Sequence, residues 1–241
     1  ESMEKLTALD KQILVERHLI SREHAARSAG SGLVLNRGET LCVMINEEDH
    51  LRLQAVRSGF ALEPALAAIS QLDDELGRRV PYSFHREFGF LTACPTNTGT
   101  GMRASVLIHL PGLVLTKEIP KVLVGLQQMG LTYRGLYGEG SEVLGSFFQI
   151  SNQTTLGRSE EELVDHLSNV VRHVIQREQE APRVLWRDAG YIIEDKLWRA
   201  YGTLRFARML TFEDAMSLLS GVRLAAGLQL VQGLSVYTLN K

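Results

Sequence analysis

The sequence predicts a protein in which helices and strands alternate up to about residue 184 and helices alone follow. Three observations carry this. Gly32-Leu-Val-Leu-Asn36 and Thr40-Leu-Cys-Val-Met-Ile45 are strand-like runs joined by the turn residues Asn36-Arg-Gly-Glu39, the pattern of a hairpin. Residues 61–79 place Leu62, Ala65, Leu66, Ile69, Leu72 and Leu76 on one helical stripe with Asp and Glu opposite. Beyond residue 184 no strand pattern remains, and 189–209 and 211–230 read as two helices, the second opened by Thr211 with Asp214 at its third position. Alternation alone also suits a parallel α/β sheet, so the pairing direction stays open at this level.

The 241 residues suffice for a full core, in one large domain or two smaller ones. A formal net charge of −2 suggests neither a nucleic-acid surface nor a polybasic membrane patch. Two cysteines, Cys42 and Cys94, make neither a disulfide framework nor a four-ligand zinc site, which fits a reducing compartment. No apolar run nears the ~18 residues of a membrane span and no signal segment opens the chain, so a cytoplasmic location is expected.

In chain order, Leu6, Leu9, Ile13 and Leu14 mark a first helix, and Val15-Glu-Arg-His-Leu-Ile20 an extended segment after it. Ser21 caps a short helix that Ser28-Ala-Gly-Ser-Gly32 ends. The hairpin follows, then Asn46-Glu-Glu-Asp-His-Leu-Arg52, whose three carboxylates suit a solvated loop or the first turn of a helix. After the 61–79 helix, residues 81–90 are loop and strand. Residues 110–129 read as helix with Gly130 as C-cap and with Leu113, Val122 and Leu126 among the core candidates. Leu131-Thr-Tyr-Arg134 is a strand feeding a loop with Gly135, Gly138 and Gly140, and Phe147-Phe-Gln-Ile-Ser151 is another strand. Ser159 and Glu162 form a capping box at the head of a helix that Ala181-Pro182 is expected to break. Trp186 and Trp198 are expected in the packing of the helical region.

The central stretch is Phe88 to His109, which reads strand, turn-rich loop, strand. A lone cysteine is usually a small buried hydrophobe. Here Cys94 sits on a loop with Gly99 and Gly101, nine residues before Arg103 at the mouth of a strand, an unusual setting for a structural turn. The heptapeptide Cys94-Pro-Thr-Asn-Thr-Gly-Thr100 resembles the active-site signature of the phosphagen (guanidino) kinases. Asn46-Glu-Glu-Asp-His-Leu-Arg52 resembles the second signature of the same family, in the family's order, and Arg134-Gly-Leu-Tyr-Gly-Glu139 falls where the family has a flexible Arg-Gly-x-x-Gly-Glu loop. Gly138-Glu-Gly-Ser-Glu142, Phe148-Gln-Ile-Ser-Asn-Gln153, Val15-Glu-Arg-His-Leu-Ile-Ser21 and the helical region after 184 are similar to the bacterial protein-arginine kinase branch.

The resemblance covers roughly residues 14–180 and implies an α+β fold, a saddle-shaped, mainly antiparallel sheet flanked by helices. It implies a catalytic domain over 1–182 and a helical region over 183–241. It implies ATP-dependent phosphorylation of arginine side chains in proteins, marking them for an AAA+ unfoldase-protease, with a zinc-binding adaptor as activator and a possible homodimer. By position in the motifs, Glu48 and Glu139 are the carboxylates that hold the guanidinium, and Cys94 lies beside it as a polarising thiolate. His18, Arg52, Arg103, Ala104, Ser105, Val106, Arg134, Gly135 and Gly138 are the ATP-binding positions. The chemistry agrees. A guanidinium is protonated below pH ~12 and attacks poorly unless a carboxylate orients it and relieves it of a proton. Arginines neutralise the triphosphate and the charge that spreads in the transition state. No protein metal site is expected, and Mg2+ is expected to ride on the nucleotide. The remaining histidines (24, 85, 109, 166 and 173) fit no motif and are read as structural or surface residues, and His50 is given no role.

Two family elements fall outside these residues: an N-terminal Ser-Ser-Arg-x-Arg segment that supplies two more phosphate-binding arginines, and a C-terminal Arg-Asp-x-x-Arg-Ala segment. The expectation is a portion of a longer kinase. The alternatives are a phosphagen kinase acting on a free guanidino compound, and an inactive remnant that binds nucleotide or phosphoarginine.

Overall fold

In the computed structural model, which describes residues 1–136 and 143–239, the strands build antiparallel ladders and the helices pack beside them. Helix α1 is Ala8–Glu16 and α2 is Arg22–Ala25. Strands β1 (Gly32–Leu35), β2 (Leu41–Ile45) and β3 (Leu51–Ala55) form one sheet in that order, with Leu35 opposite Cys42 and Met44 opposite Arg52. Helix α3 is Leu62–Gly77. The two-residue strands β4 (Phe84–His85) and β5 (Gly89–Phe90) pair as a small hairpin. Strand β6 (Ser105–His109) precedes α4 (Pro111–Leu115), α5 (Ile119–Gln128), β7 (Leu131–Arg134) and β8 (Phe147–Asn152), and the sheet order is β6-β8-β7. Helices α6 (Glu160–Phe206) and α7 (Phe212–Gly227) follow. Every described register is antiparallel, so the class is α+β.

The described chain divides into two compact units, one of residues 1–104 and 152–168, the other of 105–151 and 169–241. In the first, Cys42 and Met44 alternate inward from β2 and meet Met3, Ile20 and Leu33, a period-two pattern that buries one face of the hairpin. In the second, Leu185, Ile193 and Leu197 of α6 close on Leu224 and Ala225 of α7 and on Val231.

Four expectations are corrected. The 110–129 helix is two helices, because Thr116 ends α4, Lys117 takes a φ of 59° and Pro120 stands near the start of α5. Pro182 does not end its helix. A proline removes one hydrogen bond, and α6 continues through it to an irregular residue at Ala189 (φ −150°, ψ 34°), just before Gly190. Leu51 and Arg52, the end of the stretch read as a loop or the first turn of a helix, instead begin strand β3. Trp186 and Trp198 lie outside the core, each more than 40% exposed. The capping box of Ser159 and Glu162, the Ser21 cap and the Thr211–Asp214 cap are as read.

His109 ties three parts of the second unit. Its ring packs at a tilt of 35° against Phe147, with centroids 4.7 Å apart, and its Nε2 lies 2.8 Å from the Ser220 hydroxyl of α7. Burial, and then the nearby Arg223 charge, push its pKa down to about 4 against a pull from the Gly145 carbonyl. The unfolded chain, with an ordinary imidazole, binds this proton first. His109 therefore removes stability as pH falls from about 6.5 to about 4, by up to roughly 3 kcal/mol. Denaturant unfolding at pH 7 and pH 4.5 should show that loss in the wild type and a smaller one in His109→Gln.

Candidate active site

The carboxylate-rich loop is set by the end of β2 and the start of β3. Asn46 takes a φ of 55°, its amide N–H donates to the His50 carbonyl at 2.9 Å, and the loop turns the chain back so that Arg52 is laid on β3. Glu47 is buried. Its Oε1 accepts from the Ser21 hydroxyl at 2.6 Å and from Arg52 Nη1 at 3.0 Å, and its Oε2 accepts from the Glu48 amide at 2.7 Å. Burial pushes the Glu47 carboxyl up, but the Ser21 and Glu48 hydrogen bonds with the Arg52 and His24 charges outweigh it and leave the pKa below the usual glutamate value. Glu48 itself is exposed, as a carboxylate must be to meet an incoming guanidinium.

The thiol loop is held through its main chain, by other peptide groups and by threonine hydroxyls. The Phe90 and Gly99 amides exchange hydrogen bonds with each other's carbonyls at 2.8 and 3.1 Å. The buried Thr155 hydroxyl donates toward the Thr96 and Thr98 carbonyls at 3.1 and 2.8 Å, and the Thr155 carbonyl accepts from the Thr100 amide at 3.0 Å. The contacts leave no room for a side chain at two positions. A Cβ on Gly99 (φ 116°) would lie 2.3 Å from the Thr155 oxygen, and one on Gly89 (φ 76°) 2.6 Å from the Gly99 oxygen. Cys94 Sγ is 3.0 Å from the Thr96 hydroxyl.

The two loops meet. Asp49 Oδ1 accepts from the Ala93 amide at 2.6 Å, and Asn97 Nδ2 donates to Glu48 Oε2 at 3.5 Å. The loops that carry Glu48 and Cys94 are thus joined from sequence positions 46 apart. Arg103 belongs to the same unit, where the buried Asn152 accepts from the Ala104 amide at 2.7 Å and donates to the Met102 and Thr154 carbonyls, gripping the chain on both sides of the arginine. His18, at a φ of 57°, has its carbonyl bonded by the side-chain Nε2 of Gln54 on β3. Ser105, Val106, Arg134 and Gly135 fall in the second unit, and Gly138 and Glu139 lie outside the described residues. Among the described residues no group of three or more His, Cys, Asp or Glu side chains is arranged so that it could hold a metal ion.

Sequence reasoning left Glu47 and Asp49 as candidate solvated charges and gave Ser21 only a capping role. Their tertiary partners lie 26 and 44 residues away, beyond any local pattern. Asn152 and Thr155 were also passed over, although Asn152 lies inside a segment that marks the protein-arginine kinase branch.

The two thiols have opposite settings. Cys42 is buried, donates to the Leu19 carbonyl at 3.0 Å and has its pKa pushed up to about 11 by burial against the pull of Arg52. Cys94 is partly accessible. Iodoacetamide at pH 7.5 should label one thiol per folded chain, mapped to Cys94 by peptide mass. Prior labelling of Cys42 would contradict this packing.

Comparison with known proteins identifies the family. The family described as ATP:guanido phosphotransferase, C-terminal catalytic domain, matches residues 1–181, and the protein-arginine kinase McsB C-terminal domain matches residues 191–241. A protein-arginine kinase of Pelotomaculum thermopropionicum is 46% identical over 240 residues, covering 100% of this chain and 67% of the relative. One of Symbiobacterium thermophilum is 48% identical over 235 residues (98% and 67%), and one of Bacillus licheniformis 44% over 239 residues (99% and 66%). The chain thus spans about two thirds of the length of these relatives. Among solved structures, the duplicated taurocyamine kinase of Schistosoma mansoni with bound transition-state analogue components has a TM-score of 0.63 at 28% identity, covering 72% of this chain and 25% of that one. A lombricine kinase has a TM-score of 0.61 at 28% identity, covering 74% and 53%. With the two signature loops joined and a family match over most of its length, the chain belongs to the ATP:guanido phosphotransferase family, in the protein-arginine kinase branch.

Proposed function

We propose that this chain is the catalytic portion of an ATP-dependent protein-arginine kinase, with catalysis in 1–182 and a helical region in 183–241. The observation that carries the reading is the junction of the two signature loops, Asp49 to Ala93 and Asn97 to Glu48, which sets an exposed carboxylate beside the thiol loop. Such a pair suits a guanidinium. The carboxylate takes the planar fork in two parallel hydrogen bonds, and Cys94 is assigned the place beside it by its motif.

In the step proposed, one guanidinium nitrogen gives up its proton to a carboxylate and attacks the γ-phosphorus in line. An N–P bond forms, the bond to the β,γ-bridging oxygen breaks, and ADP leaves. Glu48 supplies one carboxylate, and Glu139 is assigned the second by its motif. Arg52, Arg103 and Arg134 are assigned to the phosphates, with His18, the 104–106 backbone, Gly135 and Gly138 as nucleotide contacts. Arg52 and Arg103 are exposed at their surface, as charges that receive a polyanion must be. Mg2+ held by the phosphates would supply further charge neutralisation.

The relatives' names support arginine in proteins as the acceptor, and the taurocyamine and lombricine kinase neighbours make a free guanidino compound the second reading. Marking of proteins for an AAA+ unfoldase-protease, activation by a zinc-binding adaptor, a homodimer and a cytoplasmic location belong to the same proposal. Exposed Tyr191, Ile192, Phe206 and Met209 in the helical region are surface a protein partner would cover. No described helix is long and apolar enough to cross a membrane.

The test is incubation of the full-length kinase with ATP and either a denatured arginine-rich protein or free arginine. Acid-labile phosphate should appear on protein arginine. Label on free arginine alone would transfer the assignment to the second reading, and no transfer at all would reject both. Cys94→Ser and Glu48→Gln should each lower kcat by about 10²-fold or more with little change in the thermal midpoint.

A further inference from the structure

The buried acid beneath Arg52 is itself held from one short element. Helix α2 meets Glu47 at both of its ends. At the front, the Ser21 hydroxyl donates to Glu47 Oε1 at 2.6 Å while accepting from the His24 amide at 2.9 Å, so one oxygen both caps the helix and orients the acid. At the back, Arg27 Nη2 donates to the Glu47 carbonyl at 3.1 Å, and Lys11 holds the Arg27 carbonyl at 2.8 Å. Between them the fully buried His24 fixes the helix to the Gly32 carbonyl of β1 at 3.0 Å. Side chain and main chain of Glu47 are thus both tied down.

A carboxylate at this depth must be fully bonded to stay ionised. Its three bonds run to Ser21, to Arg52 and to the amide of Glu48. The ion pair is lopsided. The Glu47 side chain is 5% exposed and that of Arg52 is 48% exposed, so the arginine is pinned from below while the rest of its fork reaches the surface. Loosening Glu47 therefore loosens two assigned groups at once, Arg52 and the main chain of Glu48.

We propose that Ser21 is a positioning residue for phosphoryl transfer: through Glu47 it aims the Arg52 guanidinium and the Glu48 backbone, with α2 as the brace that holds it there. The proposal rests on the kinase reading of the site.

Three substitutions separate this role from simple capping, each made in the full-length kinase. Glycine is nearly as good a helix cap as serine, whereas alanine is poor. Ser21→Gly and Ser21→Ala should both lower kcat/KM for ATP by about tenfold, the scale of one hydrogen bond to a charged group, and Ser21→Thr should restore most of it. The acid limb of the pH profile should move up in both defective variants. Glu47, which faces Arg52, His24, Arg27 and Glu48, then loses a bond that favours its ionised form. Activity that follows the thermal midpoint, with Gly near wild type, only Ala impaired and no shift of the acid limb, would overturn the proposal. Guanidinium NMR of Arg52 decides it without turnover: restricted rotation of its Nη groups should be lost in Ser21→Gly and kept in Ser21→Thr. An unchanged Arg52 spectrum in Ser21→Gly refutes the brace whether or not the wild type phosphorylates anything. Wild type without transfer, but with the expected spectra, refutes only the kinase reading.

Discussion

A buried carboxylate that must satisfy its oxygens organises the loop between β2 and β3. Glu47 has left water for a place under the surface, and each bond it makes there fixes a group with another task. Had the residue stayed in solvent beside the other two, the three acids of the loop would repel one another. Drawn inward, Glu47 leaves Glu48 as the outward carboxylate and sends Asp49 sideways to the Ala93 amide. Three like charges in a row are thus resolved into three directions.

The second loop reaches definition by other means. Around Cys94 the bonds run to peptide groups, from Thr155, Gly99, Phe90 and the threonine hydroxyls. From the facing loop, the charged Asp49 bonds that main chain at the Ala93 amide. One loop is held by ionic chemistry and its neighbour mostly by bonds to peptide groups, and the two are joined through Asp49 to Ala93 and Asn97 to Glu48. The arrangement suits a cationic, planar acceptor.

Much of this was legible in the amino-acid order. The β1–β2 hairpin follows from its turn residues, α3 from its stripe, and the caps at Ser21, Ser159 and Thr211 from side chains that reach the third amide of each helix. The site's members were found through whole motifs, since neither Cys94 nor Glu48 stands out alone. Strand β3 was missed because Leu51-Arg-Leu-Gln-Ala55 is short and abuts a run of acids whose charge masks its alternation. The run through Pro182 was missed because a helix bonded on both sides absorbs the loss of one N–H. Trp186 and Trp198 were placed inside on side-chain type alone, and helix faces are chosen by what packs opposite. The burial of Glu47 has no local signature, since it depends on a hydroxyl 26 residues earlier.

Where Gly89 and Gly99 touch, the two backbones approach more closely than any methyl group would permit. A contact built from peptide planes has no rotamers to explore and no alternative filling to slip into. A side chain added at either glycine would have to part the two strands of backbone, so the course of the chain on both sides of Cys94 depends on two residues that have none.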